Sequence, residues 1–167
     1  MHYNLEYVKE EISRTKSEIQ DMRRVLLTMY DLSPSGVGKL DSDFKDEYQP
    51  VLDEINDLKA HLHYAMDCLE VFSKLAKPGS DGFEVQNTEH IKGKINNATD
   101  RMIAMKQTGL LDSDTEAKFK AEIEEYNTRL KEAEKLSKVV SEYDEFYQQC
   151  YRLSHNSHAV RSKLYRR

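Results

Sequence analysis

The sequence predicts an all-α protein, and two observations carry this prediction. Four stretches repeat apolar residues at helical spacing, and in three of them the period is seven residues. A seven-residue repeat builds a narrow apolar seam that packs against another helix. The composition is 33% charged with 3 Pro and 6 Gly, which is typical of long helices and not of a β-sandwich. We therefore predict an elongated four-helix antiparallel bundle or coiled-coil hairpins.

The breaks between these stretches predict the domain organisation. A first helix runs from about Asn4 to Tyr30 and ends at the Pro- and Gly-containing turn Ser33–Gly38. Pro50 marks a kink or a short entry segment in the second helix. We predict one helical domain that is divided, in order, into a hairpin at 1–76, a loop at 77–87, a hairpin at 88–155 and a basic tail at 156–167.

The second hairpin carries its own helix signals. Gly109 follows the third helix at a position that suits a C-terminal cap. Ser113 and Glu116 are three residues apart, which predicts a capping box at the start of the fourth helix. We expect this fourth helix to be the longest, with a shift of its apolar stripe near Leu136 that rotates the face it presents. No stretch alternates with a period of two residues, so we predict no sheet.

No catalytic, cofactor or metal constellation stands out among the chemically active residue types. His61 and His63 point to different faces of a helix, and no acidic residue or Cys lies beside His155 and His158 to complete a metal site. We interpret these histidines as surface residues. Cys68 is seven residues from His61, about 10 Å along a helix, which is too far for a nucleophile and its base. We therefore expect no enzymatic activity, no cofactor and no metal.

The apolar seams and the tyrosines indicate a protein-interaction surface instead. The chain has 10 Tyr and no Trp, and Tyr is favoured where its ring is buried and its hydroxyl stays in water, as at interfaces or at the edge of a thin core. The net charge of -5 argues against nucleic acid as a partner. We predict that a helical protein partner completes an open seam. The residues predicted to form this surface are Ile12, Ile19, Tyr143, Tyr147 and Tyr151.

The order of these features resembles a known domain. The first helix is followed by a Gly-containing turn, then by an amphipathic helix with Phe44 and Tyr48, and then by a long helix with Leu136 ahead of Tyr143-Asp144. This layout, which covers most of the chain, resembles the LXG domain, the helical N-terminal targeting module of toxins exported by bacterial type VII secretion systems. Residues 7–11 fit a Tyr-x-x-x-Glu export signal. The resemblance implies a module that pairs with a small helical protein and has no activity of its own.

The location and two alternative functions follow from charge and hydropathy. No apolar stretch reaches the length of a membrane span, so we expect a cytoplasmic protein or one secreted by a route that cleaves no signal peptide. One alternative is a small acidic inhibitor, encoded by a phage or plasmid, that binds a host defence protein and releases it as salt rises. The other is a structural coiled-coil homodimer, in which the partner is a second copy of the chain.

Overall fold

The computed structural model of the chain describes residues 1–31 and 45–156. Several sequence predictions lie outside these residues: the turn Ser33–Gly38, the position of Phe44, the interpretation of His158 and the basic tail beyond Asn156. Everything below refers to the described part of the chain.

The described part is mainly helical, with five helices covering 83% of it. These are α1 (Leu5–Asp31), α2 (Lys45–Leu75), α3 (Thr88–Gln107), α4 (Ser113–Ser141) and α5 (Asp144–His155). The all-α class is therefore confirmed. The first helix begins and ends within one residue of its predicted bounds, and α2 continues through Pro50.

Two three-residue strands, β1 (His2–Asn4) and β2 (Gly82–Glu84), pair with each other and correct the prediction that there is no sheet. The Met1 amine donates to the Val85 carbonyl at 2.8 Å, and the Val85 N–H donates to the Met1 carbonyl at 2.9 Å. This reciprocal exchange is the pattern of an antiparallel pair. Strands of three residues are too short to show a period of two, which is why the sequence pattern missed them.

The chain divides into two compact units. We call the first the three-helix unit: it comprises Asn4–Phe83 and Tyr143–Arg167, and it contains α1, α2 and α5. We call the second the hairpin unit: it comprises Met1–Tyr3 and Glu84–Glu142, and it contains α3 and α4.

In the three-helix unit, α1 packs against both α2 and α5. Eight apolar residues that recur at helical spacing along α1 and α2 supply most of its core: Leu5, Val8, Ile12, Ile19, Ile55, Leu58, Ala65 and Phe72. Phe72 contacts Phe83 and Tyr147, with ring centroids 5.1 and 6.1 Å apart. The buried apolar residues on the three helices are Leu5, Val8, Ile12, Ile19, Ile55, Leu58, Ala65, Cys68, Phe72, Phe146, Tyr147 and Cys150.

In the hairpin unit, α3 and α4 pack against each other and are joined by a short, capped turn. Gly109 has φ +74°, which confirms the predicted glycine cap of α3. The Thr115 N–H donates to Asp112 Oδ1 at 2.7 Å, so Asp112 is the N-cap of α4. This corrects the capping box predicted at Ser113 and Glu116, because the acidic residue one position earlier already accepts the free amide.

The predicted fourth helix is in fact two helices. It ends at Ser141 and resumes as α5 at Asp144, and Tyr143 between them has φ −116° and ψ 0°, away from helical values. The shift in apolar register that we interpreted as a stutter is therefore a helix break, and it returns the chain to the three-helix unit. At 31 residues α2 is the longest described helix, against 29 for α4.

Candidate functional site

The five residues predicted to form an interaction surface all belong to the three-helix unit, but they do not form one open surface. Ile12 and Ile19 are buried on α1, where α2 covers the seam. Tyr147 is also buried, and its hydroxyl accepts the Asn4 N–H at 2.9 Å. Burial raises the pKa of Tyr147 above its ordinary value. Tyr143 is half-buried, which leaves Tyr151, 43% exposed, as the most accessible of the five.

Tyr151 belongs to an aromatic cluster that joins the first turn of α1 to the end of α5. Its ring stacks on His155 at 4.1 Å with an interplanar angle of 22°, and it meets the Tyr7 ring edge-on at 5.4 Å. Both nitrogens of the His155 ring have a polar neighbour. Nδ1 lies 2.9 Å from the Tyr151 carbonyl oxygen, and Nε2 lies 3.5 Å from the Tyr7 hydroxyl. The cluster is thus a partly exposed aromatic surface held by contacts within its own unit.

A second open surface lies on the later half of α1. Met22, Val25, Leu26 and Met29 recur at intervals of three and four residues, which places them on one face of the helix. None of residues 20–30 is buried, and Val25 is 46% exposed. We call these four residues the open α1 stripe. Three of the four, Met22, Leu26 and Met29, continue the heptad pattern of α1. Its earlier apolar members, Leu5, Val8, Ile12 and Ile19, are buried, so the seam of α1 is covered only in part.

The interior of the three-helix unit holds a polar cluster that sequence reasoning missed. His61 Nε2 lies 3.2 Å from Glu11 Oε1, and both side chains are 1% exposed. Thr15 Oγ1 donates to the same carboxylate oxygen at 3.0 Å, and Arg14 Nη2 donates to Glu11 Oε2 at 3.2 Å. His61 Nδ1 is buried with no hydrogen-bond partner. A proton on Nε2 lets the ring donate to the carboxylate.

This cluster corrects the interpretation of His61 as a surface residue. Glu11 lies three residues after the buried Val8, and His61 lies three residues after the buried Leu58. This spacing places each polar residue on the buried face of its helix, and it is the one signal in the sequence for their burial. The partners are 50 residues apart in the chain, so their meeting depends on how α1 and α2 pack. Because neither carboxylate nor imidazole is open to a substrate, we interpret the cluster as a polar joint between the two helices.

The two cysteines are free and buried, and both lie in the three-helix unit. Burial raises the pKa of the Cys68 thiol far above its ordinary value. Its side chain is fully buried, so Cys68 serves as a small apolar core residue.

An open groove of about 380 Å³ runs along α2. Its lining mixes apolar Met66 and Leu69 with acidic Asp67 and Glu70. His63 and Ser73, which also line it, are ten residues and about 15 Å apart on the helix, so they do not form a nucleophile and base.

Over residues 1–31 and 45–156, no three His, Cys, Asp or Glu side chains come together as a metal site requires. No helix in that part of the chain has the length and apolar character needed to cross a bilayer. The chain matches no protein-family model, no curated protein and no solved structure.

Proposed function

We propose that the chain is a non-enzymatic protein-interaction module that binds a helical partner through the open α1 stripe. One observation carries this proposal: a single helix buries the apolar residues of its seam as far as Ile19 and leaves the four residues of the open α1 stripe half-buried or exposed. An amphipathic face left open in this way is completed by another helix. The proposed binding surface on α1 therefore differs from the one predicted from the sequence. It consists of Met22, Val25, Leu26 and Met29 in place of Ile12 and Ile19.

The side chains of the stripe suit this kind of docking. Met22 and Met29 have flexible thioether chains that adapt to the shape of a neighbouring helix. Covering each apolar side chain completely contributes up to about 1.5–3 kcal/mol, so four partly covered residues favour a moderate affinity. In this proposal the partner supplies a further helix that packs on the open α1 stripe.

The resemblance to the LXG domain supports a more specific form of the proposal. There the partner is a small helical protein of a bacterial type VII secretion system, and the chain is an export-targeting module or a dedicated partner of one. Such a chain is made in the cytoplasm and leaves by a route that cleaves no signal peptide.

The test compares two substitutions on α1. Val25→Asp places a charge on the stripe, and Leu27→Asp places the same charge two residues on, about 200° around the helix. Leu27 is 62% exposed, so it is a matched control on the same element. The tagged full chain and both variants are used for affinity capture from cells of the source organism at low and moderate salt, with circular dichroism melts to check folding.

We expect the unaltered chain and Leu27→Asp to retain a small helical protein at moderate salt, and Val25→Asp to lose it at least tenfold. Capture that is equal for all three proteins contradicts the proposal. Capture of a defence protein that is lost as salt rises supports the acidic inhibitor instead. A dimer in light scattering that Val25→Asp dissociates supports the structural homodimer.

A further inference from the structure

The direction of α5 brings the end of the chain toward the open α1 stripe. At the start of α1, the Asn4 N–H donates to the Tyr147 hydroxyl. Seven residues later in α5, the Ser154 hydroxyl donates to the Glu10 carboxylate. The contacts on α1 advance as α5 advances, so the two helices run parallel. The last turn of α5 therefore lies beside the second turn of α1 and points toward the later half of that helix.

The sequence after α5 is long enough to reach the stripe. The backbone is extended at Asn156, with φ −137° and ψ 107°. Residues 157–167, which we call the tail, reach about 36 Å at an extended rise of about 3.3 Å per residue. Along α1, Met22 and Met29 lie about 18 and 28 Å beyond Glu10. The whole stripe is therefore within reach of the tail.

The open surface continues from α1 onto the first turns of α2. The Leu5 N–H donates to the carbonyl of Asp81, six residues after α2, and Glu11 contacts His61. The two helices are thus antiparallel, and the later half of α1 faces the beginning of α2. The half-buried apolar residues on this part of α2 are Tyr48, Val51 and Leu52.

The charge at this end of the unit is opposite to the charge of the tail. Residues 45–57 carry five acidic residues and one Lys, and the exposed acidic residues include Asp46, Glu47 and Asp53. Residues 20–31 of α1 carry two acidic and two basic residues, so they do not offset this charge. The tail carries four Arg or Lys residues and no acidic residue. Opposite charges on linked segments of one chain favour their contact.

The tail also has apolar side chains at a suitable spacing. Val160 and Leu164 are four residues apart. An even spacing places two side chains on the same side of an extended segment, and a spacing of four places them on the same face of a helix. In either conformation the two residues can meet one apolar stripe together.

We propose that the tail docks on the open α1 stripe of its own chain. Val160 and Leu164 cover the apolar side chains, and the basic residues of the tail lie beside the acidic first turns of α2. A helical partner then binds the stripe only by displacing the tail, which lowers the apparent affinity for the partner. This displacement rests on the proposed function, whereas the docking of the tail does not.

Paramagnetic relaxation in the purified full chain tests the docking. A nitroxide is attached to a cysteine added after Arg167, since Cys68 and Cys150 are free but buried. We expect the amide signals of residues 22–29 to weaken at least twofold relative to the chain with a reduced label. The amides of residues 70–75 begin about 28 Å along α2 from Val51, and their signals should keep their intensity.

Two substitutions in the tail provide the matched comparison. Leu164→Asp removes an apolar contact and should restore the signals of the stripe. Ser157→Asp changes the charge of the tail equally but removes no apolar side chain, so most of the signal loss should remain. No loss in the unaltered chain, or an equal loss in both variants, overturns the proposal. A spin-labelled chain that weakens the stripe signals of a separate, isotope-labelled chain shows docking on a second copy and also overturns it.

Affinity capture from cells of the source organism separates this inference from the proposed function. Leu164→Asp should retain at least threefold more of the small helical protein than the unaltered chain, and an unchanged yield overturns the displacement. Capture that Val25→Asp abolishes, without any tail docking, leaves the proposed function standing and removes this inference. Tail docking without specific capture does the reverse. A tail that leaves the stripe uncovered and binds phosphatidylcholine–phosphatidylglycerol vesicles overturns the docking.

Discussion

The three-helix unit and the hairpin unit cover the apolar seam between two paired helices in different ways. In each, two helices pair along an apolar seam, and one side of that seam faces water unless something covers it. The three-helix unit covers it with α5, which brings Phe146, Tyr147 and Cys150 into the core with exposures of 2% or less. This arrangement requires the predicted fourth helix to end before α5, because α4 and α5 belong to different units.

The hairpin unit has no third helix, and cationic side chains lie over the aromatic residues of α4. The guanidinium of Arg101 lies 5.6 Å from the centroid of Phe119, and Lys94 and Arg129 lie 5.7 and 5.6 Å from the centroid of Tyr126. Each such contact is worth about 0.5–1 kcal/mol at an exposed site. On helices α3 and α4, the buried residues are Ile91, Ala98, Ala133 and Val140.

A heptad pattern therefore determines where two helices pair, but it does not determine how much of the apolar seam is buried. The same pattern of apolar residues yields an aromatic core beside α5 and a thin, partly wet core between α3 and α4. We therefore expect the stability of the chain to depend far more on the three-helix unit.

One substitution in each unit tests this difference in stability. Phe146→Ala removes a ring that is 1% exposed and packs against His61 at 5.6 Å, so we expect about 3–5 kcal/mol of destabilisation. Phe119→Ala removes a half-buried ring from the hairpin unit, and about 1 kcal/mol should be lost. Urea denaturation followed by circular dichroism measures both. Equal losses would show that α5 does not make the difference between the units.

The sequence predicted the helices well because heptad spacing is a local property. The bounds of α1 and the glycine cap at Gly109 follow from residues within one or two turns. The break before α5 does not, because it depends on Tyr143 and Phe146 packing with Tyr64 of α2, far away in the chain. The interaction residues failed to form one surface for the same reason: periodicity places Ile12 on a seam but does not reveal that α2 covers it.

The next effect concerns the polar joint inside the three-helix unit, which has no counterpart among the described residues of the hairpin unit. Glu11→Ala leaves the imidazole of His61 and the hydroxyl of Thr15 without the carboxylate they contact, and we expect a loss of about 3 kcal/mol. Glu10→Ala, at the neighbouring exposed position, should cost less than about 1 kcal/mol. Thermal and urea melts of both variants provide the measurement.

A double substitution sharpens this second prediction. Replacing Glu11 and His61 together with leucine removes both polar partners, so most of the stability lost in Glu11→Ala should return. If Glu11→Ala is as mild as Glu10→Ala, the joint does not hold α1 against α2 in solution, and the stability of the unit comes from its apolar core alone.

The smallest effect is local to the hairpin unit and depends on pH. The hydrogen bond from the Thr115 N–H, aided by the nearby charge of Lys118, lowers the pKa of Asp112 below its ordinary value of 3.8. A carboxylate with a lowered pKa stabilises the folded helix end above pH 3.8 and loses that contribution as pH falls through the folded-state pKa. Amide hydrogen exchange at Thr115, corrected for the intrinsic rate, should therefore become several-fold faster on acidification through that range. The amides of Glu89 and His90 serve as the control. They should keep their protection, because the uncharged side chain of Asn87 caps α3. In Asp112→Asn the acid-dependent step should vanish, since asparagine caps a helix without titrating. A step that persists in this variant would assign the pH dependence to Asp114 or Glu116 in the first turn and not to the cap.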